Sequence, residues 1–491
     1  MSKSYESLMG AVGRSVFFRP ERQRVRELLS RDARPKLLVD GKEYPLFDIS
    51  MNGLSFLTPT GGDESWEIGE ALDLSLMLHG EEVYRGIARV ARNEKGPRGA
   101  RIGLGLSTGF LDLPEILRKD DDKRLERDLT QGPAERSRLV PNSYRDAISE
   151  IVYFLQFYRK SLDEHELRFR QLLHDEGALR GLGERAYQAV CGPWGQLQEL
   201  AAETALGCLH DRDVLLSTKE FTEVLVTPLL MKAPFVKRAY EKPLGYPGDF
   251  QLMQYCYANE YEGDTAFGRA IHKYYVDGYP LSQGVRARKD LILELMVKEH
   301  RRVLDADKET ANFRVVSLGC GPAREVSDFI ACQRNWPGQV VWTLIDQEEA
   351  ALSVAYQASR REIGKHQSNG HLNLLNLSFV QLLSEGLPLQ TAGTQDFIFS
   401  VGLFDYLRES RAKNLLRGLF ELLAPGGLIA IGNARAPNSF FWAAEFVADW
   451  TLLYRTENEM VGLAALLPES AELSVKSDES GAYYFLLVRK H

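Results

Sequence analysis

The sequence predicts a multi-domain fold with an N-terminal small β-barrel, a central all-α region and a C-terminal α/β domain whose parallel sheet ends in an antiparallel hairpin. Three observations predict it. Short apolar runs separated by Gly, Asp and Asn turns occupy positions 36–106, the spacing of a small barrel. Apolar residues then recur at helical intervals (Ile148, Ile151, Val152, Leu155) after an Asn/Ser cap. From Arg314 onward strands alternate with helices, which requires crossover connections and a parallel sheet.

The barrel is expected over 18–117, with strands at Lys36–Val39, Tyr44–Asp48, Leu54–Leu57, Ala71–Leu78, Val83–Val90 and Arg101–Leu106. A charged stretch, 118–141, ends in Gly132-Pro133 and Pro141 and reads as a linker or an exposed connecting helix. The helical region covers 142–284, and its apolar stripes read as core. Within it, Gly245-Tyr246-Pro247-Gly248-Asp249 is too rich in Gly and Pro for a helix; a loop of that kind concentrates polar contacts to ligands. The α/β domain, 285–491, places a strand at Arg314–Leu318, the turn Gly319-Cys320-Gly321-Pro322 and a strand at Val340–Ile345 ending on Asp346. An apolar segment around Leu372–Phe379, a strand at Asp396–Ser400, a helix at Arg411–Leu423 stopped by Pro425-Gly426-Gly427, and a strand at Leu428–Asn433 follow. Glu472–Lys476 and Tyr483–Arg489 flank a tight polar turn and so pair antiparallel.

A strand, a glycine turn, a helix and a second strand ending in an acid form the half-unit that holds an adenosine-bearing ligand. The glycines admit the ligand close to the backbone, and Asp346 can accept hydrogen bonds from two ribose hydroxyls. The acid follows Gly321 at close to the ~20-residue separation of such units. Where a dinucleotide fingerprint requires a third glycine, this chain has Arg324, which argues against a pyrophosphate on the helix N-terminus.

Composition excludes other classes. Of the 491 residues 26% are charged and 44% hydrophobic, as in ordinary globular protein. The net charge of −8 gives no general affinity for a nucleic acid polymer or an anionic membrane, so small or neutral molecules, or basic proteins, are the expected partners. No apolar run reaches the ~18 residues of a membrane span and no signal region opens the chain, so a cytoplasmic location is expected. The five cysteines are scattered, none with a histidine at metal-ligand spacing, and no metal is expected.

A parallel, Rossmann-like sheet closed by a terminal hairpin resembles the class I S-adenosylmethionine-dependent methyltransferases. The resemblance implies that Gly319, Cys320 and Gly321 lie against the amino-acid part of the cofactor, Asp346 on the ribose, and Ser378 and Phe379 beside the adenine. It puts Ser400, Val401 and Gly402 where the methyl group is delivered, and Arg286 or Arg288 on a carboxylate of acceptor or cofactor. The GYPGD loop, Val285-Arg286-Ala287-Arg288 and Gly402-Leu403-Phe404-Asp405-Tyr406-Leu407 together resemble a subgroup of bacterial methyltransferases that make 3-hydroxy fatty acid methyl esters. A carboxylate acceptor, such as that of a fatty acid derivative, needs no base; for an amine or hydroxyl acceptor, His272, Tyr246 or Asp249 are the candidates for proton removal. A protein methyltransferase acting on a carboxylate side chain is a further alternative.

Near the N-terminus, Arg22-Gln-Arg-Val-Arg26 and Asp48-Ile-Ser50-Met-Asn-Gly53 resemble the two motifs of the PilZ domain, which binds cyclic di-GMP. The resemblance implies that Arg22 and Arg26 clamp guanine and phosphate, that Asp48 and Ser50 hold the second face, and that Gly53 leaves room for the turn. The combined expectation is a methyltransferase with cyclic di-GMP as effector. The alternative is a non-catalytic receptor that uses the methyltransferase fold to dock a partner.

Overall fold

A computed structural model describes residues 23–30, 33, 35–58, 66–96, 99–131, 134–169, 175–306, 312–333, 336, 338–377 and 393–491. Arg22, Ser378 and Phe379 therefore lie outside the described residues, as does the side chain of Arg26. The chain divides into two compact units, one ending at Leu139 and the other Val140–His491.

In the first unit, β1 (Gln23–Arg24), β2 (Lys36–Val39), β3 (Lys42–Tyr44), β4 (Leu46–Ser50), β5 (Gly53–Leu57), β6 (Ala71–Leu78), β7 (Glu81–Gly96) and β8 (Gly99–Leu106) form one antiparallel sheet in the order β1-β4-β5-β8-β7-β6-β2-β3. The sheet curls because β7 is long, pairing with β6 through one half and β8 through the other, with a register shift between Val90 and Arg92. Its concave side holds Leu37, Leu54, Phe56, Leu74, Ile102 and Leu104. Among the described residues β1 does not pair with β3, and the strands of the expected barrel form a curled sheet. The charged stretch after it is helical: α1 (Leu113–Gln131) and α2 (Ala134–Arg138), the first laced by Arg118 with Glu115 and Asp122.

In the second unit, α3 (Asn142–Arg168), α4 (Glu176–Leu206), α5 (Arg212–Leu225), α6 (Thr227–Leu230), α7 (Pro234–Glu241), α8 (Phe250–Ala258) and α9 (Ala266–Lys273) precede α10 (Pro280–Ala306). Helix α10 runs unbroken through 284/285, where two domains were expected to meet. The helices share a core with the sheet: Trp194 packs against Trp442, whose indole N–H donates to Tyr144 Oη at 2.8 Å. Burial of that aromatic junction fuses the two expected domains into one unit.

The sheet consists of β9 (Asn312–Leu318), β10 (Gln339–Asp346), β11 (Gly370–Asn376), β12 (Gln395–Ser400), β13 (Leu423–Ala434), β14 (Glu472–Ser477) and β15 (Tyr483–Arg489), in the order β11-β10-β9-β12-β13-β15-β14. All pairs are parallel except those of β15 with β13 and β14, which form the expected hairpin edge. Crossovers α11 (Arg324–Cys332), α12 (Glu349–His366) and α13 (Glu409–Glu421) connect the strands. Pro425-Gly426-Gly427 does not separate helix from strand as expected. It lies within β13, where the register against β12 jumps from Gln395↔Leu423 to Phe397↔Leu428, a bulge that takes up the extra residues.

Candidate functional site

A cleft opens over the carboxyl ends of β10, β9 and β12, the place where open parallel sheets bind ligands. Its floor is the turn after β9. Gly319 and Gly321 adopt φ of 61° and 51°, a left-handed backbone that disfavours residues with a Cβ. A Cβ at Gly321 would meet nothing within 4 Å, so the turn presents bare backbone to the cleft.

Asp346 locks this turn. Its Oδ2 accepts from Gly321 N–H at 2.8 Å and its Oδ1 from Glu348 N–H at 2.9 Å. Burial raises its carboxyl above the usual range, and these backbone donors oppose the rise. The Gln347 N–H bears on the same carboxylate, and the acceptor capacity beyond these backbone donors is left for a ligand.

The loop 245–249 forms the opposite wall. Gly248, at φ 73°, lies so close to Trp450 that a Cβ there would be 2.4 Å from the indole. Trp450 Nε1 donates to Tyr406 Oη at 3.0 Å, and Tyr406 Oη donates to Pro247 O at 3.4 Å. Tyr246, Phe250, Tyr257 and Tyr483 complete an aromatic lining, with Met253 and Leu452 between them.

Of the expected site residues, the structure brings Tyr246, Arg288, Gly319, Cys320, Gly321, Asp346 and Gly402 to this cleft. Others are spent on the fold. Asp249 caps α8, accepting from Gln251 and Leu252 N–H, and is gripped by Arg238 at 2.7 Å. His272 accepts from Phe235 N–H at 3.1 Å, and burial lowers its imidazole to about 4, so it stays neutral in the core. Arg286 donates to the carbonyls of Cys256, Val276 and Asp277, tying helix ends together instead of facing a ligand. Ser400 donates to Leu318 O at 3.0 Å between adjacent strands. Arg288 lines the cleft pinned in place, donating to Val401 O and lying 4.7 Å from the Tyr483 ring centre.

Two acids that sequence reasoning passed over face the same cleft. Glu325, in the first turn of α11, is buried with Oε1 unpartnered, and burial lifts its carboxyl to about 7. Asp405, in the single turn Phe404–Tyr406 after β12, is likewise lifted by burial to about 7. The available signal was an acid set in an apolar run, Phe399-Ser-Val-Gly-Leu-Phe404, since lone carboxylates are seldom buried without cause.

In the curled sheet, Asp48 is buried, ion-paired with Arg101 and accepting from Ser55 Oγ at 2.6 Å. Ser50 Oγ donates to Gly53 O at 3.1 Å across the β4–β5 turn. Strand β1 pairs with β4, Gln23 opposite Ile49 and Arg24 opposite Asp48.

Part of the chain is similar to a known family. Residues 245–354 match the family described as "Putative methyltransferase". The chain is 28% identical over 218 residues to the uncharacterized protein YnbC of Escherichia coli K12, a match covering 43% of this chain and about a third (35%) of that protein's length. Among solved structures, a possible exported protein from Bordetella parapertussis superposes with a TM-score of 0.37 at 16% identity, over 65% of this chain and 97% of that one. The magnesium protoporphyrin IX methyltransferase of Synechocystis PCC 6803 with bound S-adenosylhomocysteine gives 0.34 at 11% identity, over 52% and 98%. Among the described residues no helix is long and apolar enough to cross a membrane, and no His, Cys, Asp and Glu cluster could hold a metal. The segment matched to that family, 245–354, is the one that supplies the loop, the glycine turn and Asp346.

Proposed function

We propose that the chain is an S-adenosylmethionine-dependent methyltransferase acting on a small molecule. The observation that carries this is the glycine turn locked to Asp346 at the rim of an aromatic cleft. The residues suit the cofactor: bare backbone at Gly321 admits its amino-acid tail, the orphaned Glu325 Oε1 can accept from an ammonium, and Asp346 retains lone pairs for ribose hydroxyls. The cofactor supplies an electrophilic methyl group, so the protein has to align an acceptor and exclude water. The resemblance to fatty acid methyl ester synthases supports a small acid as acceptor. Calorimetric titration with S-adenosylmethionine tests the reading; a chain that takes up none is a docking module instead.

A second reading concerns the curled sheet as a cyclic di-GMP site with Arg22 and Arg26. The two motifs and the pairing of the arm with β4 support it. Titration with cyclic di-GMP should give uptake in the wild type and none in Arg22→Ala or Arg26→Ala. Comparing transfer rates with and without the nucleotide measures any coupling to catalysis, which requires two states that bind it differently.

A further inference from the structure

Resting on the methyltransferase reading, we infer that the cleft holds a two-point receptor for the zwitterion at the amino-acid end of the cofactor, Arg288 taking the carboxylate and Glu325 the ammonium. Two observations carry this. The first is a pair of orphaned atoms of opposite charge in one cleft. Arg288 and Glu325 both line it, 6% and 2% exposed. Arg288 Nε and Glu325 Oε1 are buried without a hydrogen-bond partner, and among the described residues neither side chain forms an ion pair. Each buried charge left unpaired is a cost to the fold, yet these two share a space without neutralising each other. A ligand with one charge of each sign on a single carbon satisfies both at once. A lone anion or a lone cation leaves the other group unpaired.

The second is position. Glu325 is in the first turn of α11, directly after the glycine turn that follows β9. Arg288 reaches the carboxyl end of β12, its Nη1 donating to Val401 O at 3.1 Å and its Nη2 lying 3.2 Å from Met253 Sδ. These contacts and the Tyr483 ring fix the guanidinium before any ligand arrives, which lowers the ordering cost of binding. Strands β9 and β12 are neighbours, about 4.8 Å apart, a gap that an α-carbon bearing an ammonium and a carboxylate bridges with a hydrogen bond at each end. Asp346 ends β10, on the other side of β9, so ribose and amino-acid head fall on opposite sides of the glycine turn. The other acid near Arg288, Asp405, accepts from Ala434 N–H at 2.7 Å instead of pairing with the guanidinium.

The test is calorimetry on the full chain with three thioethers that share one nucleoside: S-adenosylhomocysteine, its decarboxylated analogue, and 5′-methylthioadenosine, which lacks the amino-acid head. The wild type should bind S-adenosylhomocysteine about 10- to 10²-fold more tightly than the decarboxylated analogue, and that analogue about 10- to 10²-fold more tightly than methylthioadenosine. Arg288→Met should bring the first two within about threefold of each other and keep methylthioadenosine within about threefold of wild type. Glu325→Gln should weaken the first two together, by about tenfold, and likewise spare methylthioadenosine. A merely structural role for either residue would weaken all three ligands alike, and that result would overturn the assignment. Equal wild-type affinity for S-adenosylhomocysteine and its decarboxylated analogue would overturn it too, leaving Arg288 to an acceptor's carboxylate. The wild-type series needs no variant, so it decides even where Arg288→Met does not fold. Absence of uptake of S-adenosylhomocysteine and S-adenosylmethionine by the wild type overturns the methyltransferase reading itself, and this one with it.

Discussion

In the curled sheet buried acids are fully compensated, whereas in the cleft they are not. Asp48 has Arg101 and Ser55; Asp120 on α1 accepts from Ser30 N–H and Oγ and bonds to His79. Across the cleft, Glu325 keeps an unpartnered oxygen, and Asp346 and Asp405 are held only by backbone N–H groups. Leaving a carboxyl buried without a cation costs stability, and proteins tolerate that cost mainly where a ligand or a proton transfer makes use of it. The contrast separates acids that build the fold from acids that wait for a partner.

Replacing the acid that touches the proposed ribose should test this contrast most severely. Asp346→Ala removes a carboxylate able to make two charge-assisted hydrogen bonds, each worth roughly 1.5–3 kcal/mol, so affinity for S-adenosylmethionine should fall by about 10²- to 10⁴-fold in calorimetry. An unchanged affinity would make Asp346 a turn clamp and erase its difference from Asp48.

Glu325→Gln probes the same contrast through stability. Burial raises the folded-state carboxyl from 4.5 to about 7, so the folded chain binds the proton more tightly than the unfolded one. The stability tied to that proton is complete below pH ~4.5 and is lost as pH rises through ~7. At pH 8 the isosteric amide should therefore be the more stable protein, by on the order of 3 kcal/mol, and its urea midpoint should vary less between pH 5 and 8. Equal slopes in both proteins would mean that Glu325 is compensated after all.

Gly248→Ala is expected to cost about 2 kcal/mol, combining a left-handed backbone with a Cβ driven into Trp450. Since Trp450 and Tyr406 line the cleft, cofactor uptake should weaken alongside the urea midpoint. Loss of stability with full uptake would confine the loop to a structural part.

What the sequence disclosed follows from the range of the forces involved. The glycine turn, Asp346, the alternation of strands with helices and the terminal hairpin are written in local chain geometry, and all are legible in residues 314–346 and 472–489. The roles of Asp249, His272 and Arg286 were not, because each is decided by a partner: Arg238, the Phe235 amide and three helix-end carbonyls. Asp405 and Glu325 were missed for the same reason. Their character comes from what surrounds them after folding, and no spacing rule encodes desolvation. Helix α10 hid the joining of helices to sheet, since a helix crossing 284/285 has no local sign of which core it serves.

The smallest effect is expected in the curled sheet. Asp48→Asn leaves the amide oxygen to accept from Ser55 and replaces the acceptor facing Arg101 with an N–H₂ donor, losing an attraction that is partly screened because the Arg101 side chain is 28% exposed. A loss of about 1 kcal/mol is expected in urea unfolding of this unit. Because no described residue before Val140 lines the cleft, S-adenosylmethionine uptake should not change. Cyclic di-GMP separates two roles for the same acid. If Asp48 meets the nucleotide itself, uptake is lost in Asp48→Asn even though the sheet stays folded. If Asp48 serves only to hold Arg101, the variant frees that guanidinium, and uptake is kept or gains; the contrast with the cleft would then be complete, one set of acids serving ligands and the other serving only the fold.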